Sequence, residues 1–130
     1  MSEFEPADNP VLALVAHDNM KTALVEWASA HLPMLKQATL VATATTGELL
    51  TEKLDLDVEK LLSGPLGGDQ QIGGLIAEGK VDALFFFWDP LQSMPHDPDI
   101  KALLRIAVVK DILVACSRST ADTIAQSLLS

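Results

Sequence analysis

Ala83-Leu84-Phe85-Phe86-Phe87-Trp88 is the clearest strand in the chain. Six apolar residues in a row leave no polar face, so both sides of the strand must be buried. That is the mark of a strand in the middle of a parallel sheet covered by helices on both faces. Asp89 and Pro90 end it. Working outward, Val11 to Ala16 is a second continuous apolar run, too short for a helix. Thr39 to Ala42 is a short strand, Val58 to Leu62 a weak one, and Ile112 to Cys116 the last. The segments between them have helical character. Met20, Ala23, Leu24, Trp27 and Ala28 recur at helical spacing as far as the break at Pro33. Glu48 to Leu56 reads as helix. Gly67 and Gly68 open a helix over Asp69 to Glu78 that Gly79 closes. A polar loop from Gln92 to Pro98 leads into a helix over Asp99 to Val109. After the turn Ser117 to Thr120, a final helix runs to about Leu129. Five strands alternating with helices predict an α/β fold, a single-domain doubly wound five-stranded parallel sheet of the Rossmann-like or flavodoxin-like kind. It is expected over residues 11–130, behind a disordered lead-in at 1–10.

Composition agrees with one such domain. The chain has 130 residues, 48% of them hydrophobic, and its mean hydropathy of +0.26 suits strands buried on both faces. No apolar run reaches the roughly 20 residues that span a bilayer, and the acidic opening MSEFEPADNP does not read as a signal peptide. A membrane partner is therefore not expected. The formal net charge is −9, which excludes nucleic acid as a natural partner, because neutralising phosphates takes Lys and Arg. A phosphate ligand would have to be held by local donors and helix N-termini. The single cysteine, Cys116, forbids an internal disulfide and fits a reducing cytoplasm. It is expected to pack as a small buried hydrophobe.

The five strands end in five polar clusters, His17-Asp18, Thr43 to Thr46, Ser63-Gly64, Asp89 and Ser117 to Thr120, and parallel strands put all of them on one edge of the sheet, where such folds bind ligands. Strand-to-helix turns favour Ser, Thr, Asp and Gly in any case. That preference leaves three features unexplained: His17 at the end of an apolar strand, the small-residue run from Ser63 to Asp69, and the loop Pro95-His96-Asp97-Pro98-Asp99. Thr43, Thr45, Thr46, Ser63 and Gly64 suit a phosphate as hydroxyl and backbone donors. Lys21 adds a charge, although alone it would read as a solvated helix lysine. Asp69 alone would read as a helix cap, and His96 as a loop histidine. Together they supply the carboxylate base and the imidazole that an enolisation needs. Neither GxxxxGK[ST] nor GxGxxG is present, so a nucleotide site lacks its signature. The pairs His17-Asp18 and His96-Asp97 lack the spacing of known metal sites, so no metal is expected.

The segments VAHDNMK, ATATTG, LLSGPLGGDQQIGGLI, FFFWDPL and PHDPDIKALLRIA closely resemble methylglyoxal synthase, from about Val11 to Asp122. The resemblance implies a lyase that turns dihydroxyacetone phosphate into methylglyoxal and inorganic phosphate through an enediolate. It implies Asp69 as catalytic base, His96 as the histidine that polarises substrate oxygens or moves protons between them, and His17 as a substrate contact. Lys21, Thr43, Thr45, Thr46, Ser63 and Gly64 match phosphate-binding positions, and Asp18, Asp89 and Asp99 match acidic residues that support the site. Also implied are the absence of any metal or organic cofactor, a homohexamer, and inhibition by phosphate. Two departures stand out. Ala44 occupies a position in the threonine turn where the family carries glycine, which crowds the phosphate loop if that position needs a positive φ. The chain also ends soon after Thr120-Ala121-Asp122, where the family continues with basic residues at subunit contacts.

Two other functions compete. A non-catalytic binding module, like the regulatory domain of carbamoyl-phosphate synthetase, would keep the threonine and serine turns but need neither Asp69 nor His96. A metal-dependent phosphohydrolase would use the two His-Asp pairs. The joint presence of Asp69 and His96 favours the lyase.

Overall fold

The computed structural model describes residues 9–91 and 97–129. The strands are β1 (Val11–Ala16), β2 (Thr39–Ala42), β3 (Val58–Lys60), β4 (Ala83–Phe87) and β5 (Leu113–Ala115), and the helices are α1 (Lys21–Ala30), α2 (Leu32–Lys36), α3 (Ala44–Leu54), α4 (Gly68–Ala77), α5 (Asp97–Val109) and α6 (Arg118–Leu129). The strands form one sheet in the order β3-β2-β1-β4-β5, parallel throughout. The expected doubly wound α/β fold is present.

The triple phenylalanine explains why. Successive strand residues point to opposite faces, so Phe85 and Phe87 enter one core and Phe86 the other. On the first face Leu12, Leu14, Leu40, Phe85 and Phe87 pack with Leu24 and Trp27 of α1, Leu50 of α3 and Ala121 and Ala125 of α6. Trp27 lies 4.6 Å from Phe85, centroid to centroid. On the second face Ala13, Val15, Val41, Leu84 and Phe86 pack with Ile72 and Ile76 of α4 and Ile100, Leu103 and Ala107 of α5. Each face buries a complete apolar layer, and the polar strand ends are left on the one remaining edge.

Several boundaries differ from the sequence reading. The helix expected from Glu48 begins at Ala44, so the threonine turn is the first turn of α3. The break expected at Pro33 falls at His31 (φ −125°, ψ 30°), and Pro33 sits in the first turn of α2, where its missing N–H costs no helical hydrogen bond. Pro98 likewise lies in the first turn of α5, which begins at Asp97 and not Asp99. β3 and β5 are shorter than expected. Of the expected lead-in, residues 1–8 lie outside the described residues; the Pro10 carbonyl already accepts the Thr39 N–H at 2.8 Å. Cys116 is half-buried, and burial pushes its thiol pKa up.

Polar contacts fasten α6 to the α1–α2 corner. His31 Nε2 lies 2.8 Å from Asp122 Oδ1, and Arg118 Nε donates to the same oxygen at 3.2 Å. The His31 hydrogen bond, then Arg118, hold the Asp122 carboxyl below its ordinary value of 3.8. A carboxylate depressed by folding adds stability above its unfolded pKa and loses it as pH falls through the folded one. Asp122→Asn is therefore expected to lower stability at pH 7 by about 1 kcal/mol or less, because the pair is partly solvated. Urea melts should show the difference closing below roughly pH 4; a constant difference down to pH 2 would remove this linkage.

Candidate active site

His17 follows β1 directly. Its N–H donates to the Phe87 carbonyl at 3.1 Å, extending the β1–β4 ladder by one residue. Its Nδ1 accepts the backbone N–H of Asp89 at 3.1 Å. That bond forms only if Nδ1 carries no hydrogen, so the neutral ring holds its proton on Nε2. The ring is buried and stands edge-on to Phe86, with centroids 5.3 Å apart. The Asp89 carboxylate accepts from Asn19 Nδ2 at 3.1 Å and from the Leu91 N–H at 3.0 Å. Beside His17, Lys21 Nζ donates to Asp18 Oδ1 at 2.5 Å, and this hydrogen bond and the lysine charge pull the Asp18 carboxyl below its usual range.

At the end of β2, Thr43 takes extended geometry (ψ 157°) as the N-cap of α3. Its hydroxyl lies 3.4 Å from that of Thr46, which is fully buried, while Thr45 is exposed. The Ala44 N–H donates to the Leu62 carbonyl at 3.3 Å. Ala44 is helical; Asp55 and Asp111 are the described non-glycine residues with positive φ. Its methyl group therefore causes no backbone strain, and the crowding expected of it does not arise.

The end of β3 builds the third wall. The Ser63 carbonyl accepts from the Leu66 N–H at 3.0 Å and the Gly68 N–H at 2.8 Å, and the Leu62 N–H donates to Gln71 Oε1 at 2.8 Å. Gly67 has φ +110°, a conformation that glycine adopts without penalty. A Cβ on Gly68 would stand 2.1 Å from the Leu62 carbonyl oxygen. These close contacts fix where α4 starts and hence where Asp69, in its first turn, is held. Gly67 is the cap of α4, so Asp69 is not. Asp69 is 5% exposed, and a Cβ on Gly64 would lie 3.7 Å from each of its carboxylate oxygens.

These walls enclose a cavity of about 440 Å³, lined by His17, Asp18, Lys21, Thr43, Thr45, Ser63, Gly64 and Asp69. Eight of the expected site residues thus meet at one place. Thr46, Ala44 and Asp89 do not line it: Thr46 lies beneath Thr43, Ala44 bonds to Leu62, and the Asp89 N–H bonds to His17. Asp99 lies in the first turn of α5, and its side chain, like the whole of His96, lies outside the described residues. Asn19 and Pro65 also line the cavity and were missed. Their only signal was adjacency, Asn19 to His17-Asp18 and Pro65 to Ser63-Gly64. The arrangement offers a buried carboxylate, a neutral imidazole and a set of hydroxyl, amide and ammonium donors around one small ligand.

The chain matches the model of the MGS-like domain family over residues 23–116. It is 60% identical over 118 residues to a methylglyoxal synthase of Pseudoalteromonas atlantica, covering 91% of this chain and 87% of that protein. It is 59% identical over 114 residues to one of Cellvibrio japonicus, covering 88% and 74%. The crystal structure of methylglyoxal synthase from Elizabethkingia anophelis superposes with a TM-score of 0.85 at 47% identity, covering 90% of this chain and 77% of that one.

The contacts of α4 separate two glycines by experiment. Gly68→Ala drives a methyl group into backbone oxygen and is expected to cost about 1–3 kcal/mol. Gly74 has nothing within 4 Å of a Cβ, so Gly74→Ala is expected to be neutral or to stabilise by about 0.5–1 kcal/mol through helix propensity. Chemical denaturation of both variants checks this; equal stabilities would show that the Leu62–Gly68 contact is not tight.

Proposed function

The chain belongs to the methylglyoxal synthase family, and we propose that the cavity at the carboxyl edge of its sheet performs that family's lyase reaction, from dihydroxyacetone phosphate to methylglyoxal and inorganic phosphate. The observation that carries this is the placing of Asp69, a buried carboxylate held by backbone contacts in the same wall as a phosphate-sized set of donors.

Asp69 takes the proton from the carbon next to the carbonyl; the C–H electron pair becomes the new C=C bond and the C=O π pair moves onto the oxygen to give the enediolate. Neutral His17 offers Nε2–H to the growing negative charge, a donor that need not surrender its proton. By family resemblance His96 acts on the same enediolate oxygens, moving protons between them. The C–O bond to phosphate then breaks, its electron pair leaving with the phosphate, and the enol product rearranges to methylglyoxal. Lys21, Thr43, Thr45, Ser63 and Gly64 hold the phosphate group. Thr46 and Ala44 brace that turn from behind, and Asp18 and Asp89 support the polar groups, a role that Asp99 takes by family resemblance. By family resemblance the reaction takes no cofactor and no metal. Inorganic phosphate, which fits the same donors, inhibits.

No helix among the described residues is long and apolar enough to cross a membrane; the cytoplasm is the compartment assigned, with the single thiol of Cys116 kept reduced. The assembly assigned is the homohexamer, and light scattering that reports a monomer overturns it.

Protein mixed with dihydroxyacetone phosphate should release methylglyoxal and phosphate in equal amounts, at a rate that added inorganic phosphate depresses competitively. A rate indifferent to phosphate at every concentration would remove the assigned pocket. Asp69→Asn keeps the side chain's size and loses its basicity, so turnover should fall by about 10²–10⁴ with the fold intact by circular dichroism. Near-normal turnover would transfer the base role to another carboxylate.

A further inference from the structure

The ends of β1 and β4 are joined by three successive hydrogen bonds. The His17 N–H donates to Phe87 O at 3.1 Å, the Asp89 N–H donates to His17 Nδ1 at 3.1 Å, and Asn19 Nδ2 donates to Asp89 Oδ2 at 3.1 Å. The first two fix the backbone and ring of His17. The third closes the circuit, because Asn19 lies two residues beyond His17 and reaches back across the sheet edge to the residue whose N–H holds the ring. We propose that Asn19 is a positioning residue for the reaction: by gripping the Asp89 carboxylate it keeps the Asp89 N–H on His17 Nδ1 and so holds the imidazole in the Nε2–H form. This rests on the reading of His17 as a substrate contact given above.

Three features of the chain make the grip necessary. Asp89 is followed by Pro90, which supplies no N–H to tie the turn down. Among the described residues, the other bond to the Asp89 carboxylate, from the Leu91 N–H at 3.0 Å, lies within the turn itself; it shapes the turn without anchoring it to β1. Leu91 is 95% exposed, so no side-chain packing at that residue holds the turn in place. Asn19 is therefore the side chain on the β1 side that reaches the carboxylate across the edge. Losing it lets the turn pull away from His17, and Nδ1 loses the donor that excludes a proton from it. A ring in the other form would leave a lone pair at Nε2, where the proposed reaction needs a donor for the enediolate oxygen.

The test uses the full chain, labelled with nitrogen-15 in histidine, in the absence of substrate. Its three histidines are distinguished by comparison with His17→Gln. The intact chain is expected to show His17 as the Nε2–H form alone. Asn19→Ala is expected to show a mixture of the two forms, and to lower kcat by about three- to tenfold, the loss of one modest hydrogen bond, with KM nearly unchanged. Asn19→Asp sets two carboxylates against each other and should act in the same direction and more strongly. A variant with merely loosened structure would lose stability without moving the tautomer. A pure Nε2–H signal in Asn19→Ala, or an undiminished kcat, overturns the proposal. The spectra need no turnover, so an intact chain inert toward dihydroxyacetone phosphate would sink the functional reading while the tautomer still decides the role of Asn19.

Discussion

The parallel pairing of β1 with β4, from Leu12 against Ala83 to Ala16 against Phe87, is the constraint from which the rest of the molecule follows. Its register ends both strands together, so that His17, one residue beyond the ladder, meets Asp89, two residues beyond Phe87. A parallel pair also needs a crossover on each connection, and the crossovers lay α1 on one face and α4 on the other. The same pairing that buries the phenylalanines on two sides therefore has one free edge on which to collect polar groups. A shift of one residue would exchange the faces of every side chain on one strand. It would send Phe86 into the core that now takes Phe85 and Phe87, and separate His17 from its backbone donor.

The second constraint is close approach of backbone. Asp69 is set by where α4 begins, and α4 begins where it does because the Gly68 peptide packs against the Leu62 and Ser63 carbonyls. Ala44 bonds to that same Leu62 carbonyl. The loop after β3 is thus shared by the first turns of α3 and α4, and the Thr43 and Asp69 walls of the cavity cannot move apart independently. The Asp69 carboxylate proposed as the base and the hydroxyls proposed to hold the phosphate are braced on one short segment, and such bracing is what a reacting geometry requires.

The strands were legible because their periods are unambiguous: an unbroken apolar run such as Phe85-Phe86-Phe87 has one natural place in an α/β fold. Boundaries were less so. The reading placed Thr43 to Thr46 in a turn because threonine is a poor helix former, whereas the helix starts among them, with Thr43 at the cap and Thr46 facing inward. Pro33 looked like a terminator because proline ends helices, yet at the first turn of α2 it is harmless. In the site, residue types with chemistry announced themselves: His17, Lys21, Asp69 and the hydroxyls of Thr43, Thr45 and Ser63 line the cavity. What no pattern in the chain could reveal is the bonding between distant turns. Asn19 and Asp89 are 70 positions apart, and only the sheet register puts them within reach. Whether Ala44 crowds its turn depends on φ, which a sequence does not state.

Electrostatics gives the site its character. Among the described residues, the charged groups lining the cavity are Lys21, Asp18 and Asp69, one cation against two carboxylates, in a chain whose net charge is −9. Lys21 is itself bonded to Asp18, whose carboxyl that lysine holds ionised. A phosphate dianion entering such a site is not drawn in by the field of the protein. On the proposed reading it is held by hydroxyls and amides whose geometry must be right. On the proposed reaction this is an advantage. The phosphate is first a handle and then the departing product, and a cradle of several free cations would bind it equally well in both roles, adding affinity without lowering the barrier between them. Directional neutral donors are better placed to discriminate: they fit the phosphate where the substrate's carbon skeleton holds it, and lose part of that fit once the C–O bond has broken.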